Sequence, residues 1–163
     1  MSEICRATSI KNPGFLQLLT QCIVESGLPL PDKDALDQLE NAVRQDRVQF
    51  YMSMENDGRV TGVVSLTVGF ATTLMRRYGI VGDLYVHPGH RGRGTAAALL
   101  LAVMDGAHDA GCAHILTHTA QGMEGLFQRA GWDDGPSSLR YAVDLEGPPP
   151  SLSMTGSWKL GWD

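Results

Sequence analysis

The segment from Val81 to Leu101, VGDLYVHPGHRGRGTAAALLL, constrains the fold of this chain more than any other stretch. It reads as an apolar strand, a glycine loop that carries Arg91 and Arg93, and an Ala/Leu-rich helix that begins directly after the loop. N–H groups at the start of a helix have no partner within the helix, and the helix dipole adds partial positive charge there. Gly92 and Gly94 let the chain turn tightly and let a ligand approach the backbone. The segment therefore predicts an anion site, and its expected guest is a pyrophosphate.

Two other glycine motifs that bind phosphate fit this segment less well. A P-loop ends in Gly-Lys-Ser or Gly-Lys-Thr, and the sequence contains neither tripeptide. The stretch Gly92–Ala97 does fit the dinucleotide fingerprint G-x-G-x-x-A. However, the five residues His87–Arg91 separate its first glycine from the strand, and the next strand ends in His118–Gln121 without an acidic residue for the ribose. The context therefore argues against NAD.

Three short motifs resemble the GNAT superfamily of acetyl-CoA-dependent N-acyltransferases. Arg91–Ala96, RGRGTA, resembles the Q/R-x-x-G-x-G/A loop, and Asp83–Pro88, DLYVHP, is similar to the strand end E-D-L-x-V-x-P. Leu126–Trp132, LFQRAGW, resembles the helix end L-Y-x-x-x-G-F, and the likeness covers roughly Val48 to Leu145. It implies an α/β (α+β) fold in one domain. The expected sheet is mixed, mostly antiparallel and flanked by helices, with a splayed pair of parallel strands that holds the cofactor.

The resemblance implies that acetyl-CoA is the cosubstrate and that no metal takes part. The glycine loop would bind the pyrophosphate. The backbone of Leu84–Val86 would grip the pantetheine arm and polarise the thioester carbonyl. Phe127 would contact the arm or belong to the core. The implied cofactor-binding residues are Leu84, Tyr85, Val86, Arg91, Gly92, Arg93, Gly94, Thr95, Ala96 and Phe127.

Asp83 is the candidate for handling the substrate ammonium, because the family often carries an acid at this position. The neighbouring family acid is Gly82 here. A carboxylate with a pKa near ~4 does not efficiently deprotonate an alkylammonium near ~10, so Asp83 would bind the ammonium and pass its proton to water. The structural alternative is a strand-end acceptor of backbone hydrogen bonds.

The group that protonates the departing thiolate is an open question in the sequence. The usual tyrosine of the family falls at Phe127, which has no hydroxyl group. Tyr85, Tyr141, His118 and a water molecule are the candidates that the sequence offers. The predicted catalytic residues are therefore Asp83, Tyr85 and His118.

Two functions are consistent with these residues. The first is an N-acetyltransferase in which the primary amine of a small molecule or peptide attacks acetyl-CoA directly. The second is an acyl-CoA-binding sensor or interaction module that has lost catalysis, an alternative that Phe127 and Gly82 motivate. Cys112 precedes its strand and is a poor candidate for a nucleophile. The first two helices and Gly69–Arg77 are expected to form the acceptor wall.

Composition and patterning bound the organisation of the 163-residue chain. We expect an acetyltransferase domain over 1–146, followed over 147–163 by a Pro-rich linker and an apolar tail that is either disordered or docked. The net charge of -5 argues against nucleic-acid binding, and no apolar run reaches membrane-spanning length. Three widely spaced cysteines and the lack of a signal peptide favour a reducing, cytoplasmic location. The later strands and the tail favour a homodimer.

The hydrophobic periodicity predicts six strands and four helices. Val48–Met54 alternates in the manner of a half-buried strand, and Ala71–Arg77 reads as a loop. The helices are predicted to begin at Asn12 or Pro13, after Asp32, at Gly94 and at Gly122. The strands are predicted at Glu3–Thr8, Val48–Met54, Arg59–Val68, Tyr78–Val86, Ala113–Thr119 and Ser138–Leu145.

Overall fold

A computed structural model of the chain describes residues 2–117 and 123–132. The strands are β1 (Glu3–Ala7), β2 (Val48–Met54), β3 (Val60–Ala71), β4 (Arg76–Val86) and β5 (Cys112–Thr117). The helices are α1 (Pro13–Glu25), α2 (Lys33–Arg44), α3 (Thr95–Asp109) and α4 (Glu124–Arg129), with a short 3-10 turn at Pro88–His90. The predicted strand Ser138–Leu145, the domain boundary after residue 146 and the tail 147–163 lie outside the described residues. No helix within the described ranges is long and apolar enough to cross a bilayer.

The strands form one sheet in the order β1-β2-β3-β4-β5. The first four strands pair antiparallel, and β5 pairs parallel to β4. The predicted fold, a mostly antiparallel mixed sheet flanked by helices, is confirmed. The pairing of β4 with β5 runs from Arg77 to Val81, whose partner Thr117 is the last described residue of β5.

Two apolar cores cover the two faces of the sheet. On one face, α1 and α2 contribute Phe15, Leu18 and Val43, and Phe15 packs edge-on against Phe50 at 5.0 Å between ring centroids. The other face is covered by α3 and α4. The buried members of this second core include Val64, Leu66, Val81, Leu99, Leu100, Val103 and Phe127.

The helix boundaries follow local capping chemistry. The Asn12 side chain accepts hydrogen bonds from the N–H groups of Gly14 and Phe15, and the Asp32 side chain accepts one from Ala35. Helix α3 differs, because its N-cap is Gly94, which has a φ of 82° and no side chain to offer. The first turn of α3 therefore has no side-chain cap from the residue at its start.

Two features of the sheet differ from the sequence prediction. Strand β2 is buried on both faces, including the polar Gln49 and Ser53, because α3 covers the face that was expected to meet solvent. The predicted loop Ala71–Arg77 is shorter, since Phe70 pairs with Arg77 and extends the β3–β4 hairpin. The backbone hydrogen bonds of this hairpin do not depend on its side chains, so the composition of Ala71–Arg77 does not indicate the extended pairing.

Gly106 allows α3 to approach the sheet closely. A Cβ atom on Gly106 would overlap the hydroxyl group of the buried Tyr51, whereas one on Gly125 in α4 would meet only the flexible end of Arg129 at 3.3 Å. We expect Gly106→Ala to lower the free energy of unfolding by about 1–3 kcal/mol through overpacking. The matched Gly125→Ala should raise it by about 0.5–1 kcal/mol, because alanine favours the helix. Urea denaturation of both variants checks this, and equal effects would contradict the close approach.

Candidate functional site

An irregularity in β4 places Asp83 at the surface of the sheet. Val63 pairs with Tyr85 and Ser65 with Gly82, so Val64 alone faces both Asp83 and Leu84. Such a two-against-one bulge turns the backbone and redirects a side chain. Asp83 has a φ of 47°, a conformation that an aspartate tolerates better than most residues do. Its side chain is exposed at this point.

Ser65 holds the carboxylate of Asp83. The Ser65 hydroxyl donates a hydrogen bond of 2.9 Å to Asp83 Oδ2 from the neighbouring strand. A Cβ atom on Gly82 would lie only 3.2 Å from that hydroxyl oxygen, so a larger residue at this position would crowd the serine. The departure from the family motif at Gly82 thus leaves room for Ser65.

The glycine loop opens onto a cavity of about 390 Å3 at the start of α3. Gly92 has a φ of 73° and Gly94 one of 82°, which is left-handed backbone that favours glycine. The cavity is bounded by the end of β4, the loop and α4. Its lining residues from the loop and the first turn of α3 are His90, Arg91, Gly92, Gly94, Thr95, Ala96 and Ala97.

Arg91 connects this loop to the end of α1. Its Nε atom donates to the carbonyl oxygen of Val86 at 2.8 Å, and Nη2 donates to Glu25 Oε2 at 3.2 Å. Its guanidinium carbon also lies 5.5 Å from the centre of the Tyr85 ring, within cation–π range. Arg91 lines the cavity, and its guanidinium group is engaged with protein partners.

Tyr85 directs its hydroxyl group toward α1. The hydroxyl donates a 2.6 Å hydrogen bond to Glu25 Oε1. Burial, reinforced by this bond, raises the pKa of Tyr85 to about 12. A free thiol has a pKa near ~8.5, so a phenol that holds its proton this tightly is a poor acid toward a thiolate. The geometry gives Tyr85 a positioning contact and disfavours it as the acid.

Negative charge accumulates between α1 and the bulge. The hydrogen bond from Tyr85, followed by the contact with Arg91, holds the pKa of Glu25 below its usual value. One turn earlier, burial and then the charge of Asp83 raise the pKa of the Cys22 thiol. The site thus combines two carboxylates, Glu25 and Asp83, with a neutral thiol between their elements.

The structure places the remaining predicted residues as follows. Phe127 is buried and packs edge-on against Trp132 at 5.2 Å, so it belongs to the core, one of the two roles expected for it. Arg93 is exposed at the loop. His118 and Tyr141 lie outside the described residues.

Of the predicted acceptor wall, α1 reaches the site, whereas the hairpin tip near Arg77 lies six residues, or about 20 Å, from Asp83 along β4.

Sequence reasoning missed Glu25 and Ser65. Their contacts join residues that are 60, 66 and 18 positions apart, and no local pattern announces such pairs. The one local signal at Glu25 is an acidic residue in the last turn of α1, where the helix dipole disfavours negative charge.

A comparison with known protein families identifies the family of this chain. The model of the acetyltransferase (GNAT) family matches residues 13–132, which include strands β2 to β5, the bulge and the glycine loop. The chain belongs to the GNAT acetyltransferase family. It is therefore an acyltransferase. A search of curated proteins gives no match.

Solved structures show the same fold. An integron cassette protein from the mobile metagenome of Cole Harbour Salt Marsh is 26% identical, with a TM-score of 0.75 over 90% of this chain and 91% of that one. A predicted acetyltransferase of Clostridium acetobutylicum, solved with acetyl-CoA, is 15% identical with a TM-score of 0.70, covering 87% and 96%. An aminoglycoside acetyltransferase from an uncultured soil metagenomic sample, in complex with sisomicin, is 15% identical with a TM-score of 0.67, covering 88% and 97%.

The lowered pKa of Glu25 makes a prediction about stability. A carboxylate with a folded pKa below its unfolded value, near ~4.3, stabilises the fold above that value and loses the effect as the pH falls through the folded pKa. We expect Glu25→Gln to lower the melting temperature near about pH 6, with the deficit shrinking toward about pH 3. Differential scanning calorimetry measures this, and Glu3→Gln, at an exposed position of β1, controls for the loss of one charge. A deficit that grows on acidification would contradict the assigned contact.

Proposed function

We propose that the chain transfers the acetyl group of acetyl-CoA to a primary amine by direct attack of the amine on the thioester. The observation that carries the proposal is the position of two features at the same end of β4. The exposed carboxylate of Asp83 lies on the bulge, and the uncapped start of α3 follows the strand after a short turn. The carboxylate is suited to an ammonium group, and the start of α3 is suited to a pyrophosphate.

The cofactor half of the proposal rests on the backbone. The first turn of α3, Thr95–Ala97, lines the cavity and has no capping side chain from Gly94. Leu84–Val86 end β4, and Val86 lines the cavity. Their backbone amides are the proposed partners of a pantetheine arm, which would lead from the cavity toward Asp83.

The acceptor half rests on charge. An amine reaches the site as an ammonium ion, and Asp83 and Glu25 favour that cation over an anionic acceptor. Asp83 then accepts a hydrogen bond from the ammonium group and passes one of the ammonium protons to water. The neutral nitrogen attacks the thioester carbon and the N–C bond forms. The nitrogen then loses its second proton to water, and the C–S bond breaks as the sulfur leaves with its electron pair.

Water is the proposed proton source for the thiolate. Phe127 has no hydroxyl group, and the hydroxyl of Tyr85 is held by Glu25. A thiolate is the conjugate base of an acid near ~8.5, so it departs without a strong acid beside it. His118 and Tyr141 stay sequence-based candidates. The aminoglycoside bound by one structural neighbour makes amines the first acceptors to screen.

Replacement of Gly94 tests the cofactor half. Gly94→Val forces a branched side chain onto a φ of 82° and into the cavity, and Gly111→Val imposes a similar strain at a φ of 75° at the other end of α3. Each should cost roughly 1–2 kcal/mol of stability. Only Gly94→Val should abolish acetyl-CoA binding in a calorimetric titration. Normal binding by Gly94→Val would contradict the assignment of the loop.

Replacement of Asp83 tests the acceptor half. Asparagine fits the left-handed backbone at this position, so Asp83→Asn keeps the bulge and removes the charge. We expect kcat to fall by about 100-fold with little change in the Kd for acetyl-CoA. An amine-dependent release of free CoA thiol measures turnover. Equal losses of turnover and affinity would make Asp83 structural, and binding without turnover in the unaltered protein would favour the sensor module.

A further inference from the structure

The carboxylate of Glu25 occupies an electrostatically unfavourable position in its own helix. The C-terminus of a helix carries partial negative charge, and the last turn of α1 contains no basic residue to offset it. Gln21 in the same helix donates a long hydrogen bond of 3.4 Å, and the shorter ones come from β4 and the glycine loop. Tyr85 donates to one carboxylate oxygen and Arg91 to the other. The contacts of Glu25 outside α1 thus compensate for an unfavourable position within it.

Arg91 closes the turn between β4 and the glycine loop. Its Nε atom returns to the carbonyl of Val86, the last residue of β4, across five positions of the chain. The same guanidinium group lies over the ring of Tyr85 and is held from the other side by Glu25. The orientation of Arg91, and with it the start of the segment Gly92–Gly94, is therefore set from α1.

We propose that Glu25 is a positioning residue for the cofactor loop, acting through Arg91 and Tyr85 from the helix that borders the acceptor side. The inference rests on the proposed function, since acetyl-CoA is the ligand that the loop would bind. Glu25 itself does not contact the reacting atoms in this role. It fixes the loop in the conformation that presents the backbone N–H groups of the first turn of α3.

The two arginines of the loop consequently have different roles. Arg91 has its guanidinium committed to Val86, Tyr85 and Glu25. Arg93 is exposed, and within residues 2–117 and 123–132 it takes part in none of the ion pairs. Any charge that Arg93 supplies to a phosphate is therefore independent of Glu25. This difference provides a matched control within the same loop.

Two double-mutant cycles test the proposal. The first combines Glu25→Gln with Arg91→Gln, and the second combines Glu25→Gln with Arg93→Gln. Calorimetry measures the Kd for acetyl-CoA for every variant, thermal unfolding verifies that each is folded, and steady-state kinetics separate KM from kcat. Glu3→Gln controls for a general effect of one lost carboxylate.

Glu25→Gln should raise the Kd for acetyl-CoA by about three- to tenfold, the range for a half-exposed charged hydrogen bond. In the Arg91 cycle the double variant should bind no more weakly than Arg91→Gln alone, because Glu25 acts through that arginine. In the Arg93 cycle the two effects should multiply.

Three results would overturn the inference. Effects that multiply in the Arg91 cycle would show that Glu25 does not act through Arg91. An unchanged Kd in Glu25→Gln, with or without a loss of kcat, would remove the positioning role. If the unaltered protein does not bind acetyl-CoA, the proposed function itself fails and this inference fails with it, an outcome distinct from binding without coupling.

Discussion

The architecture of the site depends on the bulge in β4. Val63 pairs with Tyr85 and Ser65 with Gly82, so Asp83 and Leu84 together face Val64. The bulge turns Asp83 toward solvent, while the end of the strand leads through a short turn into the uncapped N-terminus of α3. Without the extra residue in β4, the register would shift and the exposed carboxylate would not lie at this position.

Burial and hydrogen bonding determine which side chains near the end of β4 are engaged with protein partners. Tyr85 and Arg91 look from the sequence like catalytic and phosphate-binding groups, but in the structure each is held by Glu25. A phenol with a pKa of about 12 keeps its proton, and a guanidinium that spans three partners fixes the backbone around it. Asp83 and Arg93 are exposed and take no part in the contacts of Glu25, whereas Arg91 is exposed and bound to it.

The sequence predicts the parts of this arrangement that local chemistry determines. Gly92 and Gly94 are recognisable as the glycines of a tight turn before a helix, Asn12 or Pro13 and Asp32 as helix starts, and Asp83 as an acid at a strand end. The resemblance of three motifs to the GNAT superfamily implies the fold, and the fold is confirmed. Glu25 and Ser65 could not be found, because their roles arise from contacts between distant segments. The second buried face of β2 was missed for the same reason, since α3 covers it.

The central claim is that the glycine loop and the start of α3 bind acetyl-CoA. Its most direct test is a calorimetric titration of the purified protein with acetyl-CoA, with NADH in a parallel titration as the alternative nucleotide. We predict saturable binding of acetyl-CoA and no signal with NADH. Binding of NADH without binding of acetyl-CoA would contradict the account and return the loop to the dinucleotide fingerprint that its sequence also fits.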